Sequence, residues 1–132
     1  MIFETRVALL VREDLEVWQK LNVAAFLATG MAGAAPEAMG EPYEDAAGRP
    51  YTSLLGQPLL VFSALGTDLL RARRLAQERG LTIAAMFTTG HDAANRDAFR
   101  AEPADSPDLV GLALRGPKKD VERATKGLKL HP

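Results

Sequence analysis

The residues best suited to chemistry stand together at Thr88-Thr89-Gly90-His91-Asp92, with Asn95 and Arg96 just beyond. An imidazole titrates near neutrality, so His91 could act as a general base, its ring oriented by Asp92 or Asn95. Thr88 and Thr89 add hydroxyls directly after the apolar run Leu81 to Phe87. The carboxyl end of such a run is where open α/β sheets place their ligands. The competing reading is structural: Asp92 and Thr89 accept from the free amides of a helix, and His91 sits in solvent.

Lys20 and Asn22 form a second polar group, at the start of an otherwise apolar helix. Backbone amides and the helix dipole favour an anion there, such as a carboxylate or phosphate. Asn22 could instead cap the helix. A third group surrounds the last helix, where Arg115, Lys118, Lys119, Arg123, Lys126 and Lys129 outnumber Asp120 and Glu122. Such a group can hold an RNA backbone, but it also describes an ordinary solvated helix face. The balance of 16 Lys+Arg against 17 Asp+Glu supplies no global field toward nucleic acid or a membrane, so RNA is not the favoured partner. His131 has no ligand-spaced companion, and with two His and no Cys no metal site is expected. No cofactor is expected either, since there is no Gly-rich phosphate loop and no Gly-x-Ser-x-Gly elbow.

The elements that must position these groups alternate along 132 residues, one domain's worth. Arg6–Val11, Leu59–Ser63, Thr82–Phe87 and Leu109–Leu114 are short, nearly continuous apolar runs, as buried strands require. From about Trp18 to Ala34 the residues are helix formers with no polar face, which predicts a helix buried on most sides and Trp18 packed beside it. Phe26 and Leu27 both exposed in a monomer would contradict this reading; exposed but covered by a second copy, they would make the helix a homodimer contact. A second helix follows Gly66-Thr67 and stops at Gly80, a third runs from Asp92 to Arg100, and a fourth follows Gly116-Pro117 and stops at Gly127. Residues 33–57 carry Pro36, Gly40, Pro42, Gly48, Pro50 and Gly56 and read as a long irregular insertion. Such a loop could cover a ligand with Tyr43 and Tyr51. Strands alternating with helices predict a three-layer α/β sandwich, a four-stranded mixed sheet with helices on both faces. A cytoplasmic location is expected, because Glu4 interrupts the first apolar run and no stretch approaches the roughly 20 residues of a membrane span.

The ending Leu112-Ala-Leu-Arg-Gly-Pro117, a short helix, then Thr125-Lys-Gly-Leu-Lys-Leu130 resembles the end of the type II peptidyl-tRNA hydrolases. Leu60 to Phe87 is similar to that family's strand, helix, Gly-Leu, strand unit. Arg6 to Leu15 is similar to its first strand and Arg-x-Asp-Leu turn. Trp18-Gln-Lys-Leu-Asn-Val-Ala-Ala-Phe-Leu27 and Leu128-Lys-Leu-His131 more closely resemble a small bacterial family of unassigned function, a divergent branch of that fold.

The resemblance implies the hydrolases' sandwich fold and a cleft bringing Thr88–Asp92 near Asn22 and Thr29. Matching Ala24-Ala25 to the family's Ala-Ala puts Asn22 at its lysine, Phe26 at its glutamine and Thr29 at its histidine. The Asp-Ala-Gly-x-Thr loop is matched by Thr88-Thr89-Gly90-His91-Asp92, where the glycine alone agrees. Three readings follow. One is a small-molecule or anion-binding domain with a remodelled cleft lined by Lys20, Asn22, Thr29, Thr89 and Asn95. Another is a hydrolase using His91, Asp92 and Thr88. The third is an RNA-associated protein without catalysis.

Overall fold

A computed structural model of the chain describes residues 4–87 and 93–132, and for 93–95 the backbone alone. In chain order the elements are β1 (Thr5–Arg12), α1 (Val17–Ala34), a 3₁₀ turn (Pro36–Ala38), β2 (Tyr43–Glu44), β3 (Pro50–Tyr51) and β4 (Leu59–Ala64). Then come α2 (Gly66–Glu78), β5 (Thr82–Phe87), α3 (Ala93–Ala101), β6 (Leu109–Pro117), α4 (Lys118–Ala124) and β7 (Lys129–Leu130).

The main sheet has the order β5-β6-β1-β4-β7. β1 and β4 are parallel, and the other neighbours are antiparallel. The four expected strands are all present, and β7 makes a fifth, which corrects the expected count. Its two residues are too few to show a period in the sequence. They become a strand because Gly127, at φ +86°, turns the chain back along β4, where Leu130 pairs with Phe62 and Lys129 with Ser63.

Alternation along β1 explains the layers. Val7, Leu9 and Val11 point to one face and pack with Val23, Leu27 and Met31 of α1. Ala8 and Leu10 point to the other and join Leu69, Ala72 and Ala76 of α2 with Val121 and Ala124 of α4. Both faces are covered, so the strand must be apolar throughout. α1 lies very close to the sheet: a methyl built on Gly111 of β6 would stand 2.5 Å from Val23 Cγ1 and 2.9 Å from Leu27 Cδ1.

Two expectations need correction here. α1 is buried along one stripe only, and Val17, Trp18 and Leu21 are 72%, 67% and 67% exposed, so Trp18 is not a packing residue. An Ala-rich helix is apolar all round, so its hydrophobic pattern does not tell the inward face from the outward one.

The insertion holds only short regular elements, but it is tied together by hydrogen bonds. Gly40 N–H donates to Leu54 O at 2.8 Å and Gly56 N–H to Ala38 O at 2.7 Å, which ties the two ends together. β2 and β3 form an antiparallel hairpin between them, with Tyr43 opposite Tyr51. Asp45 organises its turn by accepting from the amides of Ala47 and Arg49, from Arg49 Nε at 2.8 Å and from Tyr51 Oη at 3.0 Å. Asx-type bonding by one aspartate replaces the regular ladder that Gly and Pro prevent.

Candidate functional site

Thr88, Thr89, His91 and Asp92, proposed above as catalytic or binding groups, lie outside the described residues, as does the side chain of Asn95. What is described is the sheet edge from which they follow. Phe87, the last residue of β5, pairs with Leu109, the first residue of β6. Asp108 precedes β6, and β1 ends at this same edge with Arg12.

Arg12 joins these strand ends. Its Nη1 donates to Asp108 Oδ1 at 2.9 Å and to Leu109 O at 3.1 Å, while its Nε donates to Asp14 Oδ1 at 2.7 Å. The Arg12 side chain is 19% exposed, those of Asp14 and Asp108 68% and 60%. Burial works against the Arg12 charge, but the hydrogen bonds and charges of Asp14 and then Asp108 outweigh it and raise its pKa. One cation thus faces two anions, so this edge has no spare positive charge from Arg12. Nothing in the sequence spacing points to the pair, since its members are far apart in the chain. Arg12 and Asp14 were legible only as the end of an apolar run and as a turn.

Lys20 and Asn22 sit one turn deeper than expected. α1 begins at Val17, and the Lys20 amide already donates to Glu16 O at 3.0 Å. Glu16 itself stands at the N-cap, where its amide donates to Gln19 Oε1 at 2.9 Å. A carboxylate at that position occupies the place an anion would take. Asn22 and Thr29 are both exposed, about two helical turns apart, and Thr29 Oγ1 donates to Phe26 O at 2.6 Å. Gly30, beside Thr29, lies over Ala84 in mid-β5, whereas Val23, beside Asn22, lies over Gly111 near the carboxyl edge. The structure therefore brings Asn22 toward that edge and leaves Thr29 further along the helix.

The hairpin segment is anchored at the opposite end of the sheet. Gln57 Nε2 donates to Thr5 O at 3.0 Å, and Arg115 Nη1 meets Glu37 Oε1 at 3.5 Å. Arg115 pairs with Thr82, the first residue of β5, so these anchors lie a strand's length, about 17 Å, from the residue preceding Thr88. The anchors therefore hold the segment at the end of the sheet away from Phe87; the expected cover over Thr88–Asp92 concerns residues outside those described.

The charged residues around the last helix fare differently. α2 and α4 pack side by side on one face of the sheet, and where Arg79 just past the end of α2 meets α4 a cavity of about 470 Å³ opens, lined by Arg79, Lys119, Asp120, Glu122, Arg123 and Lys126. Its two acids are engaged, Asp120 with Arg79 at 3.6 Å and Glu122 with Arg6 at 2.8 Å. Lys119, Arg123 and Lys126 have no acidic partner among the described residues. Of the expected basic residues, Arg115 is spent on Glu37 at the far end of β6. Among the described residues no group of three or more His, Cys, Asp or Glu could hold a metal ion, and no helix is long and apolar enough to cross a membrane.

A family described as a protein of unknown function, DUF2000, matches residues 5–132. The chain belongs to the DUF2000 family. Among solved structures it is similar to a protein of unknown function from Agrobacterium tumefaciens strain C58. The two are 42% identical over 99% of this chain and 100% of that one, with a TM-score of 0.93. At that similarity the five-stranded DUF2000 architecture described above is shared. Among curated proteins nothing matches the chain.

Proposed function

We propose that this DUF2000 domain is an anion-binding protein that takes a phosphate-bearing small molecule in the groove between α2 and α4. The observation that carries the reading is the charge pattern of that groove: its acids are each occupied, and Lys119, Arg123 and Lys126 have no acidic partner among the described residues. Lysine and arginine around a cavity of about 470 Å³ suit a multiply charged anion of metabolite size. On this reading the chain is a divergent branch of the fold used by the type II peptidyl-tRNA hydrolases, supported by the order of its C-terminal motifs. The cleft of that fold is remodelled, with the half-buried Arg12 committed to two aspartates.

Titration calorimetry with inorganic tripolyphosphate tests the proposal. Binding should weaken as salt rises, and Arg123→Glu or Lys126→Glu should each reduce affinity about tenfold or more, as loss of a charge-assisted contact does. Asp108→Asn, at the far edge, should leave it unchanged. Affinity insensitive to both groove substitutions would reject the groove as the site. Affinity that instead grew steadily with the length of an oligoribonucleotide would move the ligand class to RNA. The hydrolase reading, with His91 as a relocated base, is supported by the sequence cluster alone.

A further inference from the structure

We propose that the outward stripe of α1 is a homodimer seam, in which two copies of α1 pack antiparallel about a twofold axis near Asn22 and Ala25. The helix runs 18 residues with a single charged side chain, Lys20, and only Val23, Leu27 and Met31 are buried. The outward residues Trp18, Asn22, Ala25 and Thr29 repeat at intervals of four, three and four, the spacing of a helix–helix seam. Val17 and Leu21 flank them, and with Trp18 they place three of the large exposed apolar side chains on two turns of one helix. Isolated exposed apolar residues are ordinary, but a contiguous group is not.

The pattern selects the occupant. A membrane-surface helix sets lysines and arginines beside its apolar face, and this helix has one lysine, so a lipid surface is disfavoured. A charged partner would find no complementary charge on the stripe. A second copy fits, because neutral faces oppose without repulsion and because the stripe is ordered by size. Its N-terminal half carries the bulky Trp18 and Leu21, and its C-terminal half the small Ala25 and Thr29. Run antiparallel, Trp18 of one copy lies opposite Thr29 of the other, and Asn22 opposite Ala25, so the bulkiest side chain of the stripe meets a small one. A twofold makes this contact closed and self-complementary. A seam one helix wide is smaller than the roughly 800 Å² per partner of a standard interface, so the association is reversible and depends on concentration.

Sedimentation velocity over a hundredfold range of protein concentration should show the 14.2 kDa monomer converting to a particle of twice that mass. Trp18 emission should shift to the blue over the same range. Trp18→Glu and Thr29→Lys should each weaken dimerisation at least tenfold while leaving far-UV circular dichroism unchanged, since both positions are exposed. Together in one chain they should restore it, because Glu and Lys would then meet across the seam. A wild-type chain that stays monomeric throughout overturns the proposal. So does a dimer indifferent to Trp18→Glu, or a double variant that dimerises no better than either single one. None of these measurements involves the α2–α4 groove, so they stand apart from the anion-binding test.

Discussion

Arg12 and Asp108 are separated by 96 positions in the chain, yet their side chains meet at 2.9 Å across the carboxyl edge of the sheet. The contact ties the end of β1 to the start of β6 and so holds together the edge from which Thr88 follows.

Replacing Arg12 with Met should destabilise the fold by about 1–3 kcal/mol, since the substitution removes charge-assisted hydrogen bonds made by a side chain that is 19% exposed. Asp108→Asn should cost less, below about 1 kcal/mol, because that carboxylate is largely in water. Urea unfolding monitored by circular dichroism checks both. Equal losses would mean that the ion pair, rather than the half-buried arginine, carries the effect.

Gly111 should not tolerate even a methyl group. The added carbon would overlap Val23 and Leu27, so Gly111→Ala must push α1 away from β6, at an expected cost of about 1–3 kcal/mol. Thermal unfolding measures it. Val23→Ala in the same chain should recover part of the loss by making room. A Gly111→Ala protein as stable as the parent would show that α1 sits further from the sheet than described.

The hairpin turn should loosen in acid. Asp45 is held below its ordinary carboxylate value first by the backbone amide of Arg49, then by Ala47, Tyr51 and the Arg49 side chain, against a desolvation effect that raises it. A depressed carboxylate stabilises structure above its unfolded pKa of 3.8, and that contribution fades as pH falls through the lower folded value. Amide shifts of Ala47 and Arg49 should therefore stay constant from neutrality down to about pH 4 and move below it. Asp45→Asn should show the loosened shifts at every pH. A midpoint above the ordinary carboxylate range would contradict the hydrogen-bonding described.

Peptidyl-tRNA should not be hydrolysed at enzymatic rates. Asn22, Thr29 and Thr88, at the positions matched to the hydrolase motif, cannot supply an ammonium, an imidazole and a carboxylate. General acid–base assistance is worth roughly 10²–10⁴-fold. Sustained turnover by purified protein would count against this, and His91→Ala would then reveal whether a relocated base is responsible.

The sequence by itself determined the strands that are buried on both faces. Val7 to Val11 and Leu109 to Leu114 are buried residue by residue and had to lack polar side chains, and such a continuous run is visible without knowing its neighbours; the half-buried runs Leu59 to Ala64 and Ile83 to Phe87 admit one serine. It also determined helix ends at Gly80 and Gly127, whose φ angles of +66° and +86° suit a residue without a side chain. Tertiary structure alone decided the rest. β7 exists because β4 offers an open edge, and Asp45 orders a segment whose Gly and Pro content reads as irregular. The outward stripe of α1 was hidden because alanine and leucine look alike from both sides of a helix. The cationic groove was half visible: the last helix is plainly basic, but that Arg6 and Arg79 come from elsewhere to occupy its acids follows only from how β1 and α2 pack beside it. Periodicity reports how one element meets the core, whereas a site is made where elements distant in sequence meet each other, and local spacing carries no record of that.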